Sequence, residues 1–349
     1  DMEKLVSFWL FVGFGLCSPP APCSGCTPVF FPGLGGSKCF RIPTIILSSK
    51  GTLLAFAENR ITDCGDNGKQ HDLVLRRSTD HGKTWGGLIT VRKGMIPCPG
   101  CPAAISNPNP VEVEFPSTGQ KKILLQFDTM NNPNPDHHGL DMQLWSSDDG
   151  LSWSNATVLS FGAALNNTGA LIGPSVGIQA ADGTLYFSMF FDSQHWLYWS
   201  KDFGQSWAVS NPVPHLSECS IAFLKNPQDG AILMNCRTGE HQRAQVVWSA
   251  DGVAGSVTWP GVVDPGCQGS IINHKEVLYL SNANSSSSRT NMVVRKSVDG
   301  GLHWDEGTRI NPGPSAYSQL VSLDTSIGLL FETGLHSPYE TISFITIPE

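Results

Sequence analysis

No run of basic residues occurs anywhere in the chain, and Asp and Glu outnumber Lys and Arg by 30 to 22. A net charge of −8 with no basic patch argues against a nucleic-acid partner. Any anionic ligand would need a local cluster of arginines working against that global charge. Leu5 to Leu16 is the one long apolar stretch, and it falls short of the roughly 20 residues a membrane-spanning helix needs. Lys4 precedes it and Ser18-Pro19-Pro20-Ala21 follows, the build of a cleaved secretory signal. We therefore expect a signal or N-terminal segment over 1–27, one domain over 28–349, entry into the secretory pathway, and no stable membrane insertion after signal removal. Long amphipathic helical patterns are missing, and nothing marks a second domain.

Metal-site signatures are also weak. Cys23-Ser-Gly-Cys26 and Cys98-Pro-Gly-Cys101 lack a histidine at finger spacing, and His137-His138 sits in a Pro/Asn-rich stretch that reads as solvated loop. With a secretory signal, the 10 cysteines are expected to be at least partly oxidised. Three sequons, at Asn155, Asn166 and Asn284, fit a glycosylated lumenal protein.

What the chain does contain is a repeat. Ser78-Thr-Asp80-His-Gly82-Lys-Thr-Trp85 has the form S-x-D-x-G-x-x-W. The same form returns at Ser146–Trp153, Ser200–Trp207 and Ser297–Trp304, with a degenerate copy from Ser249 to Trp259. Asp can bond the amides of its own tight turn, Gly takes a backbone conformation other residues resist, and Trp can plug the hairpin onto a neighbouring sheet. Strand-like runs flank the copies, and the tryptophans lie roughly fifty residues apart, the length of a four-stranded propeller blade. The fold expected is all-β, a six-bladed β-propeller. Repetition makes the box aspartates structural, and it makes scaffold of Arg76, Arg77 and Arg295, which occupy equivalent positions in two blades. The Pro/Asn-rich segment between Gly94 and Pro116 is expected to be a loop.

A hairpin precedes the first box. Ile45-Ile46-Leu47 reads as a strand, Ser49-Lys50-Gly51 as a turn and Thr52–Ala57 as the returning strand. Pro43 cannot donate to a ladder, so it suits a strand start, and Arg41 then stands at a strand mouth. Arg41 is either a surface charge or a rigid fork for a carboxylate. With the scaffold removed, a set of unrepeated polar residues remains at strand ends: Arg41, Arg60, Asp66, Glu218, Arg237, Arg289, Tyr317 and Glu332. In a propeller such positions can converge at one end of the central channel.

The boxes, together with Phe40-Arg41-Ile42-Pro43, resemble the sialidase (neuraminidase) family of six-bladed propellers, from about Cys39 to the end of the chain. Gly51–Arg60 and Asp72–Ser78 are similar to the first blade of the animal lysosomal type. The resemblance implies an exo-α-sialidase acting on sialylated glycans of glycoproteins, glycolipids or oligosaccharides, with no cofactor and no metal, secreted or lysosomal. It implies that Arg41, Arg237 (in Asn235-Cys236-Arg237) and Arg289 (in Arg289-Thr-Asn291) hold the substrate carboxylate, and that Glu332 braces the first of them. Arg60 joins them as a substrate-binding residue. Tyr317 is the expected nucleophile, the tyrosine exception among glycosidases. Glu218 is its expected base, with Glu240 a weaker alternative because it follows Arg237. The acid/base aspartate is expected at Asp66, with Asp63 and Asp72 behind it. Disulfides Cys39–Cys64 and Cys219–Cys236 would flank the site. Sugar transfer, preference for a deaminated sialic acid, and a propeller that binds sialoglycans without cleaving them are the alternative functions. The last would need a broken catalytic set, which is not what the sequence carries.

Overall fold

A computed structural model describes residues 23–66, 70–94, 104–130, 139–161, 170–225 and 230–349. Among these, the only helical element is one 3-10 turn, Leu34–Gly36, and the rest of the regular structure is strand, antiparallel throughout except for a single parallel pairing of His71 with Ala104. The strands form a six-bladed propeller. Blade 1 runs from its innermost strand Cys39–Leu47 through Leu53–Arg60 and His71–Ser78 to Ile89–Arg92. Blades 2 and 3 follow over residues 104–158 and 171–214. Blade 4 is Cys219–Phe223, Ile232–Cys236 and Ala244–Trp248, its outer edge made by isolated bridges such as Gln245 to Thr258.

One strand, Thr308–Ser322, serves two blades. Its first half pairs with Thr290–Ser297 as the outer edge of blade 5, and its second half pairs with Ser326–Thr333 as the innermost strand of blade 6. Thr341–Pro348 continues blade 6. The N-terminal strand Thr27–Phe30 pairs with it and completes the ring.

The boxes are the turns expected. In the first, Asp80 accepts the Thr84 amide at 2.9 Å and the Ser78 hydroxyl at 2.7 Å, while Ser78 Oγ accepts the Gly82 amide. Gly82 has φ 86°, and a Cβ there would lie 2.1 Å from the Phe344 ring of blade 6. Trp85 meets the same ring edge-on at 5.6 Å. Glycine is thus needed both for backbone angle and for close approach to the preceding blade. The three repeated arginines are scaffold: Arg76 donates to Gly86, Trp85 and Val29 carbonyls, Arg295 to the Asp305 carbonyl, and Arg77 pairs with Asp149.

One expectation is corrected. The segment 104–115, read as loop, is the innermost strand of blade 2, Ala104–Phe115. Its prolines are tolerated because an innermost strand faces the channel on one side and needs no ladder donor there. A register shift between Ser106 and Asn109 absorbs Pro108, just as one between Arg41 and Thr44 absorbs Pro43. Cys98, Cys101, His137, His138 and Asn166 lie outside the described residues. Cys23 and Cys26 pair as a disulfide, and no three metal-binding side chains cluster among the described residues. No helix there is long and apolar enough to cross a membrane.

Candidate active site

The bulges aim the site. At Arg41–Thr44 the innermost strand of blade 1 gains one residue relative to its partner, and Ile42 takes φ 58°. A second register shift, between Ser315 and Ser318, occurs where the shared strand enters blade 6, and Tyr317 lies within it. Bulges re-aim side chains off the pleat. Here they send Arg41 and Tyr317 towards each other, with the Arg41 guanidinium carbon 5.3 Å from the centroid of the Tyr317 ring.

Glu332, fully buried on the second strand of blade 6, locks both bulges. Its Oε1 accepts Arg41 Nε at 2.6 Å and the Ile42 amide at 3.0 Å, and its Oε2 accepts the Tyr317 amide at 3.1 Å. Burial works against the charge of Arg41, but Glu332 more than offsets it and holds the guanidinium more firmly protonated than usual.

Blade 4 supplies the next pair. Cys219 and Cys236 are cross-strand partners joined by a disulfide, and the residues just outside them are Glu218 and Arg237. The Arg237 amide donates to the Glu218 carbonyl at 3.0 Å, and its Nη1 to Glu218 Oε2 at 2.7 Å. Glu218 Oε1 accepts the Tyr317 hydroxyl, and Arg237 Nη1 lies 3.3 Å from the same phenol oxygen. Burial first, then the charge of Glu218, pushes the Tyr317 phenol well above its ordinary range, although Arg237 opposes this. The phenol is therefore neutral and bonded to a carboxylate that can take its proton. Glu240 is instead on the rim: its amide is capped by Thr238, and it lines a cavity of about 820 Å³ beside Arg237 with Trp259 and Gln242.

Arg289 comes from blade 5, immediately before Thr290–Ser297. Its guanidinium carbon lies 5.3 Å from the Tyr317 ring centroid, and its Nη1 donates to the Tyr339 hydroxyl at 2.9 Å. Arg41, Arg237 and Arg289 thus converge on one tyrosine from three blades.

The loop after Arg60 closes the fourth side. A Cys39–Cys64 disulfide ties it to the strand that carries Arg41. Of the three aspartates weighed for this loop, only Asp66 reaches the arginines: its Oδ1 is 2.8 Å from Arg60 Nη1 and 3.6 Å from Arg41 Nη1. Asp63 instead accepts the Gly65 amide, and Asp72 accepts the Gly94 amide. Burial raises the Asp66 carboxyl, but Arg60, Arg41 and Arg289 together bring it below its usual value. Arg60 itself is 1% exposed, and its fork is filled by Glu58, the Cys64 carbonyl and Asp66, so its contact with the site runs through Asp66.

Several residues in this network had no sequence signal. Glu58 holds Arg60 from beneath and accepts the Asn107 amide, while Asn107 donates onward to Asp128 at 2.8 Å. The buried Arg243 bonds Asn235, two residues before Arg237, together with Asp264 and the Cys267 carbonyl. Tyr339, which touches two of the three arginines, lies in an unrepeated loop.

The BNR repeat-like domain family matches residues 51–330, most of the chain. A sialidase of Bacteroides fragilis is 28% identical over 89% of this chain and 63% of its own length. Sialidase-2 of Cricetulus griseus is 24% identical, covering 89% of this chain and 92% of that protein. Among solved structures, a Hadza microbial sialidase superposes with a TM-score of 0.77 at 23% identity, over 93% of this chain and 68% of that one. The chain spans 51% to 63% of the length of the bacterial sialidases it matches. The fold and site define a BNR-repeat propeller built around an arginine cluster. The chain belongs to the BNR repeat-like family, and the curated relatives it resembles are sialidases.

Proposed function

We propose that the protein is an exo-α-sialidase that releases terminal sialic acid from glycoconjugates with retention of configuration. The observation that carries this reading is the convergence of Arg41, Arg237 and Arg289 on a buried tyrosine whose hydroxyl bonds Glu218. Sialic acid bears a carboxylate on its anomeric carbon. Three guanidinium forks hold and orient that carboxylate through charge-assisted bonds, which places the anomeric carbon over Tyr317.

A neutral phenol approaches a carbon beside a carboxylate with less repulsion than an Asp or Glu nucleophile would meet. Tyr317 Oη attacks the anomeric carbon as Glu218 takes its proton, and Asp66, in its protonated form, gives a proton to the departing glycosidic oxygen. Asp66 then takes a proton from water, whose oxygen attacks the same carbon. The Tyr317–carbon bond breaks, and Glu218 returns the proton to the phenolate. Two inversions give net retention. Arg60 sets the position of Asp66, and Glu332 that of Arg41 and Tyr317.

The test is Tyr317→Phe. It should lower kcat on an aryl sialoside by about three orders of magnitude or more while the fold and affinity for a carboxylate-bearing substrate analogue stay near wild type. Near-normal turnover would remove Tyr317 from the mechanism. Product analysis by NMR at early times should show the α-anomer first, and initial formation of the β-anomer would exclude the tyrosyl intermediate.

A further inference from the structure

One arginine of the cluster differs from the other two in its partner. Arg41 is paired with Glu332 and Arg237 with Glu218, both buried carboxylates. Among the described residues no carboxylate lies within ion-pair distance of Arg289, whose side-chain hydrogen bond goes to the Tyr339 hydroxyl at 2.9 Å. The same tyrosine presents its ring face to Arg41, with the guanidinium carbon 4.2 Å from the ring centroid. One side chain therefore fixes two of the three forks, one through its π face and the other through its oxygen.

The loop that carries Tyr339 is braced independently of the arginines. Glu340 accepts the amides of Leu335, His336 and Ser337 at 2.8–2.9 Å, and Thr341 bonds back to the Thr333 carbonyl. Tyr339 also packs against the buried group formed by Ile42, Cys267, Ala316 and Tyr317. Its carbonyl faces the Cys39 sulfur, whose disulfide ties the loop bearing Asp66. The ring cannot swing without disturbing packing on two blades.

We propose that Tyr339 is a positioning residue for substrate-carboxylate recognition, setting the spacing and tilt of the Arg41 and Arg289 forks. The choice of a phenol has a physical reason. Two cations near one another need something between them, and a cation over an aromatic face is attracted without a counter-charge. A hydroxyl accepts one N–H of Arg289 while leaving the cation unneutralised. A carboxylate at this position would compete with the ligand's own. Arg289 is thereby kept as the arm with charge to spare, and its other N–H groups are left for the incoming carboxylate. This inference rests on the reading that the three arginines hold that carboxylate.

The experiment measures KM and kcat on an aryl sialoside, and Kd for the 2,3-unsaturated analogue of sialic acid and for its neutral carboxamide, in Tyr339→Phe, Tyr339→Leu and Arg289→Ala. Tyr339→Phe keeps the face under Arg41 and removes the bond to Arg289. It should raise KM and the Kd of the acid about fivefold to tenfold, with kcat within about threefold and Kd for the carboxamide unchanged. Tyr339→Leu removes both contacts and should weaken the acid by a further tenfold or so, still sparing the carboxamide. Acid affinity within twofold of wild type in both variants, or equal losses for acid and carboxamide, would overturn the role of Tyr339. If Arg289→Ala also fails to discriminate acid from carboxamide, the carboxylate reading of the whole cluster falls with it. If Arg289→Ala discriminates and the Tyr339 variants do not, only the inference about Tyr339 falls.

Discussion

The arginines around Asp66 favour its ionised form, which is the wrong state for a proton donor. Burial favours its protonated form, but Arg60, Arg41 and Arg289 outweigh burial and lower its pKa. A substrate carboxylate bound between Arg41 and Arg289 would cancel part of that field, and Asp66 should then hold a proton at higher pH. The acid would be armed by the ligand it acts on. Two measurements follow for the Asp66 carboxyl, observed by NMR titration. Its pKa should rise when the unsaturated carboxylate analogue binds, and it should rise in the free Arg289→Ala variant as one source of the field is removed. A pKa that stays put or falls on binding the acid would show that the arginines' charge is not what sets it. The eight polar residues proposed for the site stand out in the sequence as unrepeated polar residues at strand ends, and the family resemblance supplies their expected roles, leaving Asp63 and Asp72 as alternatives to Asp66. Tyr339 was not legible. Its neighbours His336-Ser337-Pro338 read as ordinary turn, and its importance arises only from what lies across the channel in blades 1 and 5.

Strands were legible where alternation and boxes marked them, and illegible where function bends them. Asn107-Pro-Asn-Pro110 has the composition of a turn, yet it forms the innermost strand of blade 2, held there by bonds no local pattern announces. Asn107 takes φ 53° and bridges Glu58 of blade 1 to Asp128. Asp128 faces Asp141 across the antiparallel pair, both nearly fully buried, and they accept the amides of Ile172 and Ala170. Burial, and for Asp128 the adjacent charge of Asp141, raises these carboxyls, Asp141 to about 7. Two such groups cannot both ionise there, so the pair keeps a proton through the mildly acidic range. The native state then binds more protons than the unfolded chain, whose aspartates titrate near 3.9, and stability falls as pH rises from about 4 to about 7. Asp141→Asn presents an oxygen to Ala170 and an amide to Asp128, removing the Asp141 carboxyl and its charge and leaving Asp128 as the one carboxyl that titrates there. Its melting temperature should gain on the wild type as pH is raised across that window, by an amount corresponding to a few kcal/mol. Parallel pH dependences for variant and wild type would mean the pair carries no proton.

The ring closes at the seam where the site is built. Blade 6 carries Tyr317 and Glu332, blade 1 carries Arg41, Arg60 and Asp66, and the first of the described strands completes blade 6 before the chain enters blade 1. Thr27–Phe30 pairs with Thr341–Pro348, and the Val29 carbonyl accepts Arg76 of blade 1 at 2.6 Å. Phe30 is fully buried and meets Phe40 of blade 1 at 5.3 Å, inside a cluster that also contains Ile45 and Val74 of blade 1 and Leu330, Ile342 and Phe344 of blade 6. The ring is closed by this pairing within blade 6, since the chain runs on continuously from Thr27–Phe30 into blade 1 and from each blade to the next. Phe30→Ala leaves a cavity at that seam and should cost about 3–5 kcal/mol in urea unfolding. The more discriminating readout is activity under conditions where the variant remains folded. Loosening the seam changes the distance between Arg41 and Tyr317, whereas Arg237 and Glu218 are held within blade 4 by the Cys219–Cys236 disulfide. Phe30→Ala should therefore lose affinity for the carboxylate-bearing analogue at 25 °C. A variant of equal cost in blade 4, such as Met234→Ala, which removes a fully buried side chain there, should retain that affinity. Equal affinities in the two variants would show that closure by the N-terminal strand stabilises the fold without tuning the site.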